Sequence, residues 1–419
     1  MLKNPIKPQT TPRAPALAFV LVCVLLDVIG IGLIIPVLPL LVGEFTANAQ
    51  AQALWYGVVI AAYGLAQFLA APLLGALSDR YGRRPVLLIS QLGWGLDFLL
   101  IAFAPSLGWI LLARVLGGIT GAGFIVASSY VADVTTPEKR TQGMGLIGAM
   151  FGVGFIVGPA LGGVLGEYGV RVPFYAAAGV ALLNVAYGFL ILPESLPVDK
   201  RSVYSRAQLL AKSNPFTALY ALRHLPKSAV VGSVLALVVA LAVCDLAQFM
   251  MHSTFVLYTT QRYGWTPFDN GMALFAVGVL MALVQGVLLA PLVKKLGERR
   301  LALFALVFGA IEFAGMAWAP TGFAMMAVIG VFFLAGAAHP AIMGLVSQSV
   351  PESEQGAVMG AIAGLSALMI VLAPLVATPL FAATSHFAVS DARFGTVYWV
   401  AGALQGLSAW LVWRALRVR

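Results

Sequence analysis

The sequence predicts an all-α integral membrane protein with twelve transmembrane helices, and three observations lead to that fold class. The chain has 419 residues, of which 61% are hydrophobic and 10% are charged, whereas about a quarter of the residues in a soluble domain are charged. Apolar runs long enough to cross a bilayer recur along the chain, and its positive residues concentrate on one side of those runs. This composition excludes a cytosolic enzyme, a nucleic-acid-binding protein and a disordered chain.

The number of spans follows from their length. A membrane-crossing helix needs about 20 mostly apolar residues, because its backbone hydrogen bonds must close within the segment. Twelve segments meet this requirement, and they lie near residues 16–43, 54–77, 85–104, 107–132, 139–165, 172–193, 228–258, 268–293, 301–319, 321–347, 355–384 and 395–414. We number them spans 1 to 12. Very short links join span 4 to span 5 and span 9 to span 10, so each pair is expected to be antiparallel.

The distribution of positive residues orients the spans. Of the 25 Lys and Arg, 21 lie on the side that holds both termini, which we call the basic side; three lie on the opposite side, and Arg114 lies within span 4. Positive loops stay in the cytoplasm, so we expect both termini to be cytoplasmic and the protein to be in a bacterial inner membrane. The net charge of +9 therefore reflects topology, with the lipid bilayer as partner and no nucleic acid.

The chain is predicted to consist of an N-terminal cytoplasmic arm (1–15), a first bundle of six helices (16–193), a cytoplasmic loop (194–227) and a second bundle of six helices (228–419). A repeat at an offset of 215 residues supports this division, since it relates Pro159 to Pro374 and Gly82 to Gly297. Two parallel six-span halves are typical of secondary transporters that rock about a central site. The alternative is a duplication without a transport role.

Ionisable residues inside the spans are the main candidates for function, because a charge in the bilayer is costly and faces a cavity or a partner. The proton-coupling candidates are Asp27, Asp97, Arg114, Asp245 and Glu312. Asp27 is interpreted as a proton carrier and cation-attracting acid, or alternatively as a permanent hydrogen-bonding group between helices. Arg114 either modulates a nearby acid or forms a static ion pair with Asp97 or a carbonyl. Glu312 is either a second proton site or an acid held neutral.

Other polar or polarizable side chains in the spans are candidates for substrate binding. Asp245, Gln248 and His252 lie at i, i+3 and i+7 in span 7, and so share one helical face that is expected to line the cavity. His252 could titrate near physiological pH or simply be hydrogen-bonded. The full predicted substrate set is Asp27, Gln67, Asp245, Gln248, His252, Met281, Gln285 and His339.

A loop motif follows span 2. Residues 75–85 read GALSDRYGRRP, and the predicted gating residues are Gly75, Asp79, Arg80, Gly82, Arg83 and Arg84. Asp79 could cap the positive end of a facing helix while Arg83 and Arg84 form ion pairs, a latch that holds the inner gate shut. The alternative is a simple positive anchor, which explains the arginines but not Asp79. This motif resembles the signature loop of the major facilitator superfamily, which implies that family's fold.

Span 5 carries a second motif, GAMFGVGFIVGPALGG at residues 148–163. It resembles the antiporter motif of the superfamily's drug–proton exchangers, and its motif residues are Gly154, Gly158, Pro159, Gly162 and Gly163. These residues give a bendable, closely packed helix face. Arg114 and the glycines after it resemble the family's proton-coupling motif in span 4.

The segments LLDVIGIGLIIPVLPLL, SDRYGRRPVLLIS, GLDFLLIAF and GITGAG further resemble the tetracycline–proton antiporter branch, over nearly all of the first half. This resemblance carries onto Asp27, Gln67, Asp79, Asp97 and Arg114. In the second half the chain departs from the branch: Met281 stands in place of a histidine in span 8, and Gly309 stands in place of an acid in span 9, with Glu312 one turn later. Since those positions help select the substrate in the family, tetracycline is left open as the substrate.

The predicted function is proton-coupled efflux of an amphiphilic small molecule or drug by rocker-switch alternating access. The alternative is export of a native metabolite, siderophore or sugar. We expect a monomer with no enzymatic activity, since no HExxH, phosphate-binding loop, CxxC pair or serine nucleophile turn occurs. We expect no cofactor, with the proton gradient as the energy source. The two cysteines both fall in spans, so neither a metal site nor a disulfide is expected.

Overall fold

The computed structural model describes residues 14–121, 123–205, 208, 213–216 and 229–417, none of which forms a β-strand. The helices of the first half are Ala14–Ile34 and Leu38–Gly43 in span 1, Ala49–Tyr81 in span 2, Arg83–Ala102 in span 3, Leu107–Thr120 and Gly123–Val134 in span 4, Pro137–Gly166 in span 5, and Val172–Ile191 in span 6. Spans 7 to 9 are formed by Ala229–Tyr263 in span 7, Pro267–Leu283 and the π-helical turn Val284–Leu288 in span 8, and Leu289–Trp318 across the end of span 8 and all of span 9. Spans 10 to 12 are formed by Gly322–Phe332, the 3₁₀ turn Phe333–Ala337 and Ala338–Ser349 in span 10, Glu352–Thr384 in span 11, and Thr396–Arg417 in span 12. Short 3₁₀ turns also occur at Val198–Lys200 and Ala392–Gly395.

The predicted twelve spans are confirmed. Ten helical segments in the described part of the chain are long and apolar enough to cross a membrane, and one of them, Pro267–Trp318, is 52 residues long. This segment contains two spans, because Gly297 adopts a non-helical conformation inside it. The remaining span is Thr396–Arg417, which is 22 residues long and less apolar because it carries Gln405 and two arginines.

The helix interruptions fall in spans 1, 4, 8 and 10. In span 1 the helix breaks after Ile34 because Pro36 has no backbone N–H to donate, and it resumes with Pro39 in the first turn. In span 4 the helix ends at Thr120 and restarts at Gly123. Broken helices in transporters expose backbone groups beside the central site, so these positions indicate where a site is to be found.

Two glycines that the internal repeat relates also share an unusual backbone conformation. Gly82 and Gly297, which the 215-residue offset relates, have φ of 108° and 73°, in the left-handed region that favours glycine. Each glycine separates two consecutive spans at the basic side. The predicted domain boundaries stay a prediction, because residues 1–13 and most of 206–228 lie outside the described residues.

The two halves meet at the ends of the helices opposite the basic side. Spans 5 and 8 touch there, where a Cβ atom on Gly163 would lie 2.9 Å from the Cα of Gly271. Spans 2 and 11 also touch there, where a Cβ atom on Gly57 would overlap the side chain of Thr378. The two halves are therefore in direct contact on the opposite side through two pairs of spans.

The halves separate towards the basic side. Along the face of span 5 that packs on span 8, Ile156 still contacts its neighbour, but a Cβ atom on Gly145, Gly148 or Gly152 would meet nothing within 4 Å. These residues share one face because they follow the helical repeat. Gly356, near the start of span 11, is open in the same way. The described conformation is therefore closed on the opposite side and open on the basic side.

We expect Gly163→Val to shift the protein towards a conformation that is open on the opposite side. A valine there would meet the Gly271 backbone in the closed arrangement, and overpacking of this kind costs about 1–3 kcal/mol. This cost changes the equilibrium constant between the two conformations by roughly 5- to 150-fold. The measurement is labelling of Thr378→Cys by an impermeant maleimide, in a variant without the two native cysteines. Gly179→Val is the matched control, because a Cβ atom there meets nothing within 4 Å. Equal labelling rates in the two variants would contradict the assignment of Gly163 to this closure.

Candidate functional site

Asp27 lies in the middle of span 1 and is buried, with 9% of its surface exposed. Asn184 in span 6 donates through Nδ2 to Asp27 Oδ1 at 2.7 Å and to the Cys23 carbonyl oxygen at 2.9 Å. The other carboxylate oxygen, Oδ2, faces span 4, since a Cβ atom on Gly123 would lie 3.3 Å from it. Asp27 therefore has one oxygen held by an amide and the other beside the break in span 4.

The glycines of span 5 let span 1 approach closely beside Asp27. A Cβ atom on Gly32 would lie 2.8 Å from the Cα of Gly158, and one on Gly162 would overlap the carbonyl oxygen of Leu33. Gly154 packs on Val28 in the same way. Contacts of this kind between small residues are the main attraction between helices in a bilayer. Pro159 lies inside the same helix, and Gly163 faces span 8 instead of span 1.

Gln67 in span 2 has a backbone partner. Its Nε2 donates to the carbonyl oxygen of Gly121 at 2.6 Å, at the point where span 4 breaks. The hydroxyl group of Tyr63, one turn earlier, lies beside the same glycine. Gln67 thus satisfies a carbonyl group that the interrupted helix leaves without a helical partner.

Arg114 and Asp97 form a buried ion pair between spans 4 and 3. Arg114 Nε donates to Asp97 Oδ1 at 3.2 Å, a guanidinium Nη2 contacts Oδ2, and the two side chains are only 7% and 1% exposed. The rings of Tyr63 and Phe98 lie 5.2 Å and 5.8 Å from the guanidinium carbon. Gly117 allows this approach, because a Cβ atom there would lie 2.7 Å from the Asp97 carboxylate. Of the two interpretations of Arg114, the described conformation contains the ion pair with Asp97.

Asp245 in span 7 has partners from two further spans. His339 Nδ1 in span 10 lies 2.8 Å from Asp245 Oδ1, and Ser366 in span 11 donates its hydroxyl to Asp245 Oδ2. Gln248, one turn further along span 7, is half-buried. His252 is exposed and lies near the Phe249 ring.

The remaining second-half candidates do not join that cluster. The Met281 sulfur lies against Gly336 in span 10, and Gln285 is exposed in the π-helical turn of span 8. Glu312 is half-buried in span 9 and has no hydrogen bond or ion pair among the residues that the structure describes. None of these three side chains forms a hydrogen bond or ion pair with Asp245 among the described residues.

The loop motif is engaged within the first half. Arg83 contacts both Asp79 and Asp133, and its backbone N–H donates to Glu194 Oε1 at 2.9 Å. The hydroxyl group of Tyr204 donates to Asp79 Oδ2 at 3.4 Å. Among the described residues, Asp79 contacts Arg83 of its own half and Tyr204 of the following loop and no helix of the second half, which agrees with the opening on the basic side.

The other motif residues also hold the first half together. Arg84 donates to the Phe189 carbonyl oxygen, and Arg80 donates to the Tyr204 carbonyl oxygen at 3.5 Å. Gly82 leaves space for Glu194, because a Cβ atom there would overlap its carboxylate. Gly75 faces Ile125 in span 4. The predicted ion pair of Arg84 is replaced by a backbone contact in this conformation.

Three side chains of these clusters were not predicted from the sequence: Asn184, Tyr63 and Ser366. Asn184 is the one amide in the otherwise apolar span 6, and that isolation could have identified it. Nothing in the sequence indicated that Ser366 bonds to another span, because a serine in a helix usually bonds to a carbonyl group of the previous turn of its own helix.

A sequence model of the Major Facilitator Superfamily matches residues 20–374 of the chain. The chain is 35% identical over 389 residues to the tetracycline resistance protein, class C, of Escherichia coli, which covers 93% of each chain. It is 28% identical over 389 residues to multidrug resistance protein 2 of Bacillus subtilis, covering 92% of each chain.

Solved transporters share the fold. A bacterial homolog of the human lysosomal transporter Spinster, in an inward-facing and unoccupied conformation, has a TM-score of 0.75 at 15% identity, with 98% of each chain covered. A D-xylose–proton symporter has a TM-score of 0.73 at 18% identity, with 95% of this chain and 97% of that chain covered. These structural neighbours are transporters, and the two relatives are named for resistance to tetracycline and to multiple drugs.

Proposed function

Since the chain belongs to the major facilitator superfamily, we propose that it exports an amphiphilic small molecule across the membrane in exchange for protons. The observation that carries this proposal is the buried carboxylate of Asp27 beside the break in span 4, in a protein whose halves are separated on one side. An ionisable group inside the membrane is functional by default. The relatives named for tetracycline resistance and multidrug resistance support a drug as the transported molecule.

The proton is proposed to bind at Asp27. Asn184 occupies Oδ1, so Oδ2 is the oxygen that takes the proton or attracts a cationic group of the substrate. The ionised form and the protonated form differ by one unit of charge in a medium of low polarity, which makes proton and cation compete for the same place. Competition at one acid is the basis of exchange between two substrates that move in opposite directions.

The conformational cycle is proposed to be a rocking motion of the two halves. With the basic side in the cytoplasm, the described state accepts substrate from the cytoplasm. Closure on that side would bring Asp79 to a helix end of the second half, while the contacts between spans 5 and 8 and between spans 2 and 11 open. The latch role of the loop motif belongs to that second state.

We propose the remaining features of the transporter by analogy with its family. The protein acts as a monomer in a bacterial inner membrane with both termini in the cytoplasm, it performs no enzymatic reaction, and it uses the proton gradient without a cofactor. The departures at Met281 and Gly309 favour a substrate range different from that of the tetracycline branch. Tetracycline and the lipophilic cation ethidium are therefore both needed as probes.

The experiment is drug accumulation in bacteria that express the full chain, compared with cells that carry the empty vector. We expect lower accumulation of at least one probe, and we expect a protonophore to abolish the difference because the proton gradient drives export. Efflux that persists after the gradient is dissipated would contradict proton coupling. Accumulation equal to that of vector controls for every compound in a panel of drugs and amphiphiles would contradict drug export.

A further inference from the structure

The cluster of Asp245, His339 and Ser366 in the second half is not used by the mechanism at Asp27. Both oxygens of the Asp245 carboxylate are engaged, one by the His339 ring at 2.8 Å and the other by the Ser366 hydroxyl. The three side chains come from spans 7, 10 and 11, so the cluster depends on the folded second half.

The two titratable members of this cluster differ in access. The Asp245 side chain is 6% exposed, whereas the His339 side chain is 47% exposed. Because His339 Nδ1 faces the carboxylate, a neutral ring carries its hydrogen on Nδ1 and donates it to Asp245. The lone pair of Nε2 then lies on the ring edge that does not face the carboxylate. The exchangeable position of the cluster is therefore on the histidine and not on the acid.

The cluster lies at the place that corresponds to the Asp27 site in the first half. Under the 215-residue offset, Asp245 corresponds to Gly30 and His339 to Phe124. Gly30 is about one helical turn from Asp27, and Phe124 adjoins Gly123, which faces the Asp27 carboxylate. The two halves thus place one buried acid each between equivalent pairs of spans, 1 with 4 and 7 with 10.

No other charged group in the described residues contacts His339. The further titratable side chains in the middle of spans 7 and 9, which pack against span 10, are Cys244, His252 and Glu312. Glu298, near the start of span 9, lies against Gly344. None of these four forms a hydrogen bond or ion pair with His339, so Asp245 is the charge that acts on the ring.

We propose that His339 Nε2 is a second proton-exchange site of the transporter and that Asp245 and Ser366 position the ring. When Nε2 carries no proton, the pair of His339 and Asp245 binds the cationic or hydrogen-bond-donating group of the amphiphile. The neutral ring and the carboxylate together carry one negative charge. One proton added at Nε2 makes the pair neutral. The Nδ1 hydrogen stays bonded to Nδ1 and is still donated to Asp245, and no other bond changes. The proton and the substrate cation then exclude each other, as exchange requires. This inference rests on the proposed function.

The first test is nitrogen-15 NMR of the full chain labelled at histidine, which has four residues to assign. We expect one ring, absent from the spectrum of His339→Gln, to carry its hydrogen on Nδ1 when neutral and to gain its second proton at Nε2 on acidification. Asp245→Asn removes the negative acceptor and lowers the share of that tautomer, and Asp245→Glu restores part of it. A neutral His339 ring that carries its hydrogen on Nε2, or a ring that gains no proton at Nε2 on acidification, would overturn the proposal.

The second test is transport of ethidium and tetracycline into proteoliposomes. We expect His339→Gln to reduce accumulation driven by a pH gradient by roughly tenfold. His386→Gln, in the exposed loop after span 11, is the matched control. Wild-type accumulation by His339→Gln would overturn the proposal. Absence of any transport by the wild-type chain would overturn the proposed function, while the NMR test still decides whether His339 exchanges protons.

Discussion

Asp27→Asn is expected to reduce proton-driven drug transport to the level of protein-free liposomes while the protein remains folded. Asparagine has the shape of aspartate and can still accept the hydrogen bond that Asn184 donates, so the packing of spans 1 and 6 is retained. It cannot bind and release a proton in the accessible pH range, so the exchange step is lost. The measurement is accumulation of probe in proteoliposomes under an imposed pH gradient, alongside the thermal unfolding temperature in detergent.

The matched control is Asp391→Asn, which removes an acid from the loop between spans 11 and 12. Hydrogen bonds donated by Arg393 lower the pKa of Asp391 to about 2, so this acid stays ionised throughout the assay and cannot carry protons. We expect wild-type transport in this variant. Coupled transport that survives in Asp27→Asn would remove Asp27 from the mechanism, and an unfolded variant would show that its role is structural.

Asp97→Ala is expected to lower the free energy of unfolding by roughly 3–5 kcal/mol, because it leaves the Arg114 guanidinium buried without its partner. Arginine cannot lose its proton to relieve that cost. The measurement is unfolding in detergent followed by intrinsic fluorescence. Glu44→Gln is the control, since the Glu44–Arg171 pair is 43% and 33% exposed, and such pairs contribute about 0–1 kcal/mol. A loss no larger than in the control would contradict the buried pair.

The double variant Asp97→Leu with Arg114→Met separates the two roles that the sequence left open for Arg114. Replacement of both charges by apolar groups removes the unpaired charge, so we expect the stability to recover most of the loss. If Arg114 is only a static ion-pair partner, the double variant transports drug at a rate near wild type. If it modulates a proton-binding acid, as the resemblance implies, the folded double variant loses the pH dependence of transport.

Much of the fold was predictable because the bilayer imposes simple rules. Helix length and the distribution of arginines and lysines predicted twelve spans. The observed helix ends differ from the predicted ends by a few residues, as at Ala49–Tyr81, where the helix extends past its apolar core at both ends. Gly297 illustrates the limit: the repeat related it to Gly82 and spans 8 and 9 were separated around it, but its φ of 73° needed the structure.

Side-chain pairing was less predictable than the identity of the polar residues. The sequence singled out Asp245 and His339 separately, but their contact links residues 94 positions apart and depends on how spans 7 and 10 pack. Gln67 was predicted as a substrate ligand, and the structure adds a bond that the sequence did not indicate, from its amide to the Gly121 carbonyl oxygen at the interruption of span 4. The open side was not predictable, since both conformations of such a protein use the same sequence.

Proton movement driven by a drug gradient is the decisive measurement for exchange of drug and proton by this protein. Proteoliposomes containing the full chain, a pH-sensitive dye and tetracycline or ethidium are diluted into drug-free medium at equal pH. The account predicts that drug efflux acidifies the lumen, because each outward step of the drug brings a proton inward, and that Asp27→Asn abolishes the signal. Drug efflux without acidification, or with alkalinisation of the lumen, would contradict exchange.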